Sequence, residues 1–271
     1  MKIEKKLWII LFAFGIFAIC FSGWIFRQST AREKLFWDNT IRCETKELKE
    51  GEIKSENIAL PEDFDVPKSI LFKTTHTIAE VWLDGEKIYE YGNEADAPGF
   101  MKTPGSCWHI VDIPGDSSGK NLEVRIIPVY EGYYGNEVSL VYGTRGDCIL
   151  KILTDSLGIP VISCGILFAA VICILLYCGA ARRKRSDKTE AKIEIFLNLG
   201  FFSLLVAVWT LVQCGFLQFL IPDGRTLYFV EYFSLFLFPV PFNFLLYDIC
   251  KSRYHKGALI FPILYLANMA A

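Results

Sequence analysis

Apolar residues in this chain gather into long runs, with a strand-like stretch between the first run and the second. Leu7–Phe26 holds 20 uncharged residues, Ser156–Ala181 holds 26 and Ile195–Pro222 holds 28. Thr226–Tyr247 holds 22 residues in which Glu231 is the single charge. About 20 apolar residues in a helix cross a hydrocarbon core of about 30 Å. The runs therefore predict spans over 7–26, 157–178, 194–220 and 227–247. A further apolar run starts at Gly257 and reaches Ala271 after 15 residues. A helix that short would leave its last carbonyls unsatisfied in lipid, so 257–271 reads as a partial span, cut off in mid-helix.

Between 32 and 152 the pattern changes to period two. In Asn121–Val129, Leu122, Val124 and Ile126 fall on one face and Glu123 and Arg125 on the other, which predicts a half-buried strand. Ala79–Leu83 and Glu86–Tyr91 flank Asp84-Gly85, a hairpin signal because both turn residues tolerate positive φ. A two-residue turn there pairs Val81 with Ile88 on one face, and Glu80 with Tyr89 and Trp82 with Lys87 on the other. Ser69–Thr75 and Cys107–Ile113 are further strands, punctuated by Pro61, Pro67, Pro98, Pro104 and Pro114. No helical pattern of comparable strength is present here, and Glu44–Glu62 reads as a solvated charged stretch. The expected fold class is an all-β sandwich or jelly roll joined to an all-α transmembrane bundle.

Charge orients these parts. From Arg27 to Leu150 there are 14 basic and 22 acidic residues, a net of −8. Lys/Arg gather instead at Lys2–Lys6, at Arg182–Lys192 and at Lys251–Lys256. Short basic loops stay in the cytoplasm, so the expectation is a multi-pass cell-membrane protein with a cytoplasmic N-terminus and 27–152 outside. Residues 1–31 then form a signal anchor, although Ser29-Thr30-Ala31 is also a passable cleavage site. The 20-residue core is long for a cleaved signal and favours the anchor. Over the whole chain 52% of residues are hydrophobic and 21% charged, which excludes a single soluble domain. The acidic outer segment makes nucleic acid an unsuitable partner.

The stretch Ile70-Leu71-Phe72-Lys73 through Val81-Trp82-Leu83-Asp84-Gly85-Glu86-Lys87-Ile88-Tyr89 resembles the strand–turn–strand of galactose-binding-like jelly rolls. Gly105-Ser106-Cys107-Trp108, Ile113-Pro114 and Gly119–Val124 continue that pattern. A jelly roll followed by several spans is similar, in its order of parts, to the bacterial seven-transmembrane receptors with diverse intracellular signalling modules. The resemblance implies that an outer domain binds a small molecule or carbohydrate. It also implies an output module of diguanylate cyclase or histidine kinase type beyond these residues. A transporter subunit with an outer lid, or a membrane-anchored carbohydrate-binding surface protein, remains as an alternative. A homodimer is compatible with either.

Aromatic faces suit sugar stacking, which marks Trp108, Tyr130, Tyr133 and Tyr134 as ligand-binding candidates. Packing of the sandwich is the competing role for Trp108. Cys43 and Cys148 lie near the two ends of the outer segment and form a candidate disulfide. Six other cysteines fall within or beside the apolar runs, where they act as small hydrophobes. His76, His109 and His255 lack metal-ligand spacing, and no phosphate loop or nucleophile elbow is present, so neither a cofactor nor catalysis is expected. In the bundle, Glu231 is a candidate relay group or interfacial anchor. Pro239 and Pro241 should kink their helix and mark it as a candidate moving part. Asn198, Gln213 and Asn243 are candidate inter-helix hydrogen-bonding residues.

Overall fold

A computed structural model describes residues 40–42, 53–93, 101–130, 139–182, 187–250, 260–265 and 267. The expected span at 7–26, and most of 257–271, lie outside the described residues. Two compact units emerge: a β unit within Arg27–Ser156 that also takes in Gly215–Tyr228, and a helical unit that includes Leu157–Cys214 and the residues from Phe229 onward.

In the β unit, β1 (Thr40–Arg42), β8 (Ser139–Gly143), β3 (Lys68–Thr75) and β6 (Ser106–Ile113) form one antiparallel sheet in that order. β2 (Lys54–Ala59), β7 (Asn121–Pro128), β4 (Thr77–Leu83) and β5 (Glu86–Tyr91) form the other. Only β4 and β5 are neighbours in both sequence and space; every other pairing is a crossover between distant segments. The two sheets share one core, which runs from Ile70, Phe72, Val111 and Leu140 on one side to Ala79, Val81, Leu122 and Val124 on the other. The chain changes sheets between β3 and β4 at His76, whose φ of 55° puts it in the left-handed region. That is an uncommon conformation for a residue with a Cβ.

The four strands expected from alternation, and the Glu86–Tyr91 strand, are present within two residues of their expected ends. Asp84 and Gly85 have φ of 48° and 85°, as a tight primed turn requires. The hairpin register departs from expectation. Trp82 pairs with Lys87, but Val81 pairs with Tyr89, Glu80 with Glu90 and Ala79 with Tyr91. Ile88 is the extra residue of a β-bulge, and one extra residue on an edge strand exchanges the faces of everything beyond it. The charged stretch 44–62 is also revised in part, because Lys54–Ala59 is strand β2, paired along β7.

A helix unforeseen in the sequence, α1 (Arg145–Ser156), closes the β unit. Its start is a reciprocal cap: Thr144 N–H donates to Asp147 Oδ2 (3.0 Å) and Asp147 N–H donates to Thr144 Oγ1 (3.2 Å), a capping box in all but the use of Asp for Glu. Cys148 and Ile152, one turn apart, pack with Leu71, Trp108 and Ile110 on the outer face of β3 and β6. This is why Ile70, Leu71 and Phe72 in the middle of β3 are consecutive apolar residues, all buried: both faces of the strand are covered there.

The helical unit contains α2 (Gly158–Arg182), α3 (Asp187–Val212), α5 (Pro239–Cys250) and, from Phe229 on, α4 (Gly224–Leu237). Gly158–Arg182, Ile193–Val212 and Gly224–Ile249 are long and apolar enough to cross a membrane, with 22%, 17% and 11% of their most apolar windows buried against protein. α3 packs on both α2 and α5. A Cβ on Gly200 would stand 2.8 Å from Ile174 Cγ1 and 3.3 Å from the Ala170 carbonyl oxygen, so a small residue sets the close α2–α3 approach. Two expectations are adjusted. The uncharged run to Leu220 is not helical throughout: α3 stops at Val212 and a 3-10 turn covers Gly215–Phe219. The 227–247 segment is interrupted at Phe238, with Pro239 opening α5. Pro239 and Pro241 fall in the first turn of α5, where backbone N–H groups lack helical partners in any case.

Candidate functional site

Within the β unit the core is apolar at one end and polar at the other. Beyond Phe72 and Ala79, the inward positions become Thr74 on β3, Thr77 on β4, Cys107 and His109 on β6, and Tyr89 and Tyr91 on β5. His109 is 1% exposed. Its Nε2 lies 2.7 Å from Thr74 Oγ1 and its Nδ1 2.9 Å from Tyr89 OH. Phe72 and Tyr91 cover the imidazole, with ring centroids 4.8 and 4.9 Å away. Both nitrogens are thus occupied, and burial pushes the His109 pKa down to about 3. The ring is neutral at physiological pH, with one nitrogen donating and the other accepting. Burial, the largest effect on the neighbouring Cys107, pushes its thiol up to about 11, so it is not a thiolate nucleophile. Thr77 is 8% exposed and its hydroxyl has no hydrogen-bond partner among the described residues.

Tyr91 connects this cluster to the segment between α3 and α4. Its hydroxyl donates to the Pro104 carbonyl (2.9 Å). A Cβ on Gly224 would collide with that hydroxyl and stand 2.9 Å from the same carbonyl oxygen. A Cβ on Gly105, whose φ is +80°, would stand 2.5 Å from the Gly224 carbonyl oxygen. The first turn of α4 is therefore seated directly on the β5–β6 connection. Asp223 caps that turn, accepting from Arg225 N–H (3.1 Å) and Thr226 N–H (3.2 Å). Burial alone would raise the Asp223 pKa, but the bonds from Thr226 and Arg225 together hold it below the usual carboxylate value. Arg225 Nη2 donates to the Asn93 carbonyl (2.6 Å). Tyr228 meets His76 edge to face at 4.9 Å, and His76 Nδ1 lies 2.8 Å from Thr103 Oγ1.

A second grip lies on β6, the edge strand of its sheet. Gln218 Oε1 accepts from Trp108 N–H (2.9 Å) and Gln218 Nε2 donates to the Trp108 carbonyl (2.8 Å). A side-chain amide carries the same donor–acceptor pair as a peptide group, so Gln218 occupies the place of one residue of an adjoining strand. It satisfies edge groups that would otherwise be open for pairing. A Cβ on Gly215 would stand 2.6 Å from Trp108 Nε1, so the 3-10 turn lies against the indole as closely as glycine permits.

The candidates from sequence distribute as follows. Trp108 is half-buried under α1, with Lys73 Nζ 5.7 Å above its ring; it serves packing and the Gln218 grip. Tyr130 follows β7 of the other sheet, with its ring 6.1 Å from that of His76. Tyr133, Tyr134 and Cys43 lie outside the described residues, and with them the proposed disulfide. Cys148 is buried on the inner face of α1, with Sγ 3.7 Å from the Ser69 carbonyl oxygen. Glu231 accepts from Gln213 Nε2 (3.2 Å). Residues not singled out in the sequence include Gln218 and Asp248, whose Oδ2 accepts from Asn198 Nδ2 (2.7 Å). A polar Gln inside an uncharged run was the available signal for Gln218. Comparison with protein-family models, curated proteins and solved structures finds no match to this chain.

Proposed function

We propose that this chain is the sensory portion of a membrane signal-transduction receptor, in which an extracytoplasmic jelly roll takes up a small polar molecule or carbohydrate. The strand order β1-β8-β3-β6 over β2-β7-β4-β5 fits two Greek keys folded into a jelly roll. The acidic excess of 27–150, set against basic clusters elsewhere, supports an outside location for this unit. The observation that carries the reading is the membership of Gly215–Tyr228 in the β unit. The chain leaves one candidate span, is gripped by Gln218 and Gly224 within the β unit, and then enters the next. A lid over a transporter, or an adhesive domain on an anchor, has no need of such a grip. A receptor does, because a ligand can bias the bundle only through a difference in affinity between its arrangements. The α4–α5 break at Phe238 is the element biased, and a cytoplasmic output module of cyclase or histidine kinase type receives the change.

The test is hydrogen exchange on the full chain in lipid nanodiscs, with D-galactose, D-glucose, N-acetylglucosamine and a set of amino acids as probes. A probe that slows exchange in 68–113 should also alter it in 224–237. Protection confined to the β unit would refute the relay and favour the adhesive reading. Uptake of the protecting probe into proteoliposomes would favour the transporter.

A further inference from the structure

Asn198, Phe202 and Trp209 on α3, and Gln213 immediately after its last residue, follow at spacings of four, seven and four residues, which is one helical stripe. Every member contacts the α4–α5 segment. Gln213 meets Glu231 on α4 and Asn198 meets Asp248 on α5. Between these polar ends, Phe238 lies 6.1 Å from Phe202 and 5.8 Å from Trp209, and Phe242 lies 5.5 Å from Phe202. Phe238 is also where the helix is interrupted: its N–H turns back to the Leu235 carbonyl (3.3 Å). Pro239 and Pro241 cannot donate to the carbonyls of Leu235 and Leu237. The backbone is therefore weakest where the aromatic contacts lie, and each arm beyond them ends in one carboxylate–amide pair.

The two arms are not equivalent. α4 is held at its first turn within the β unit and again at Glu231. α5 is tied near its end by the Asp248–Asn198 bond, and Asp248 is 9% exposed. A buried carboxylate that loses its donor is costly, so this tie favours discrete closed and open arrangements over gradual drift. We infer that Asn198 and Asp248 form a latch that holds α5 against α3, and that its opening lets α5 swing about Phe238–Pro239 while α4 stays in place. The latch names the moving arm of the proposed relay, yet it stands on the helix geometry alone.

The experiment measures spin–spin distances on the full chain in nanodiscs without any ligand, so a failed receptor reading leaves its outcome intact. Ketone-directed labels at the exposed positions 194 and 249 span the latch, and labels at 194 and 233 span α3 and α4 as a control. Asn198→Leu and Asp248→Leu should each add a longer-distance 194–249 population absent from the parent. The 194–233 distance should stay unchanged. Asp248→Asn, which keeps an acceptor in place, should retain the parent distribution. Parent-like distances in both leucine variants would overturn the latch, as would equal shifts in the control pair or an Asp248→Asn shift as large as that of Asp248→Leu.

Discussion

The β unit and the helical unit are both rich in apolar residues, yet they use them differently. In the β unit Phe64, Phe72, Leu122 and Val124 are sealed between sheets, and of the polar groups drawn in with them His109 is bonded through both ring nitrogens, to Thr74 and Tyr89. In the helical unit Phe168, Leu175, Phe229 and Phe233 are exposed, and among the described residues at most 22% of any candidate span's apolar window is buried against protein. Lipid is as apolar as those side chains, so their contacts contribute little to association. Positional information there rests on a few close approaches such as Gly200 and on the carboxylate–amide pairs of α3. Packing specifies the first unit, whereas sparse polar ties specify the second.

The sharpest test of that contrast is a large-to-small change in each unit. Phe72→Ala should cost the β unit about 3–5 kcal/mol, read by pulse proteolysis of the full chain in urea. Phe233→Ala, on an exposed face of α4, should cost well under that; equal losses would break the comparison. Acid should act next most strongly, and on the β unit. The His109 pKa is lowered to about 3 in the folded chain, against about 6.5 unfolded. Above 6.5 both states are neutral there, so this group adds no pH dependence. As pH falls from 6.5 towards 3 the unfolded chain takes up a proton that the folded chain refuses. Stability therefore drops by up to about 1.4 kcal/mol per pH unit. The stability advantage of the parent over His109→Gln should shrink across that window, and a constant difference would remove His109 as the cause.

Gly224→Val should follow, at about 1–3 kcal/mol for overpacking, with faster exchange in 101–105 as its signature. Gln218→Leu orphans the Trp108 N–H and carbonyl together and should cost about 1–3 kcal/mol. Gln218→Glu, which restores only the acceptor, should fall between parent and leucine for exchange at the Trp108 amide. Smallest is Asn198→Leu, at about 0.6 kcal/mol in global stability, because α5 opens rather than leave Asp248 buried without its donor, a change best seen in the position of α5 rather than in unfolding. A loss there as large as that of Phe72→Ala would mean that the helical unit is specified by packing after all.

Much of the strand pattern was legible because alternation reports a half-buried surface directly, as in Leu122, Val124 and Ile126. The spans were legible because composition alone decides whether a helix suits lipid. α1 is hard to read from sequence although Thr144 and Asp147 spell a cap, since its buried stripe is short, Cys148, Ile152 and Ser156, and runs close to the next apolar run. The polar ties were legible as donors, with Asn198 and Gln213 singled out, but Asp248 follows its apolar run and drew no notice.

Residue type and order by themselves determined that this chain has helices apolar enough to cross a membrane, a β segment between apolar runs, a primed turn at Asp84-Gly85 and a break at Pro239. Each is a local property, set by transfer into lipid, by pleat period, or by the dihedrals of one or two residues. Tertiary structure alone decided the bulge at Ile88. That bulge turns Tyr89 and Tyr91 from the outer face of β5 into the core, where they meet His109 and where Tyr91 abuts Gly224. It alone likewise brought Gln218 to Trp108, 110 residues away in sequence. A bulge costs little locally and has no composition of its own. Its position is chosen by which side chains can then be satisfied by partners far along the chain.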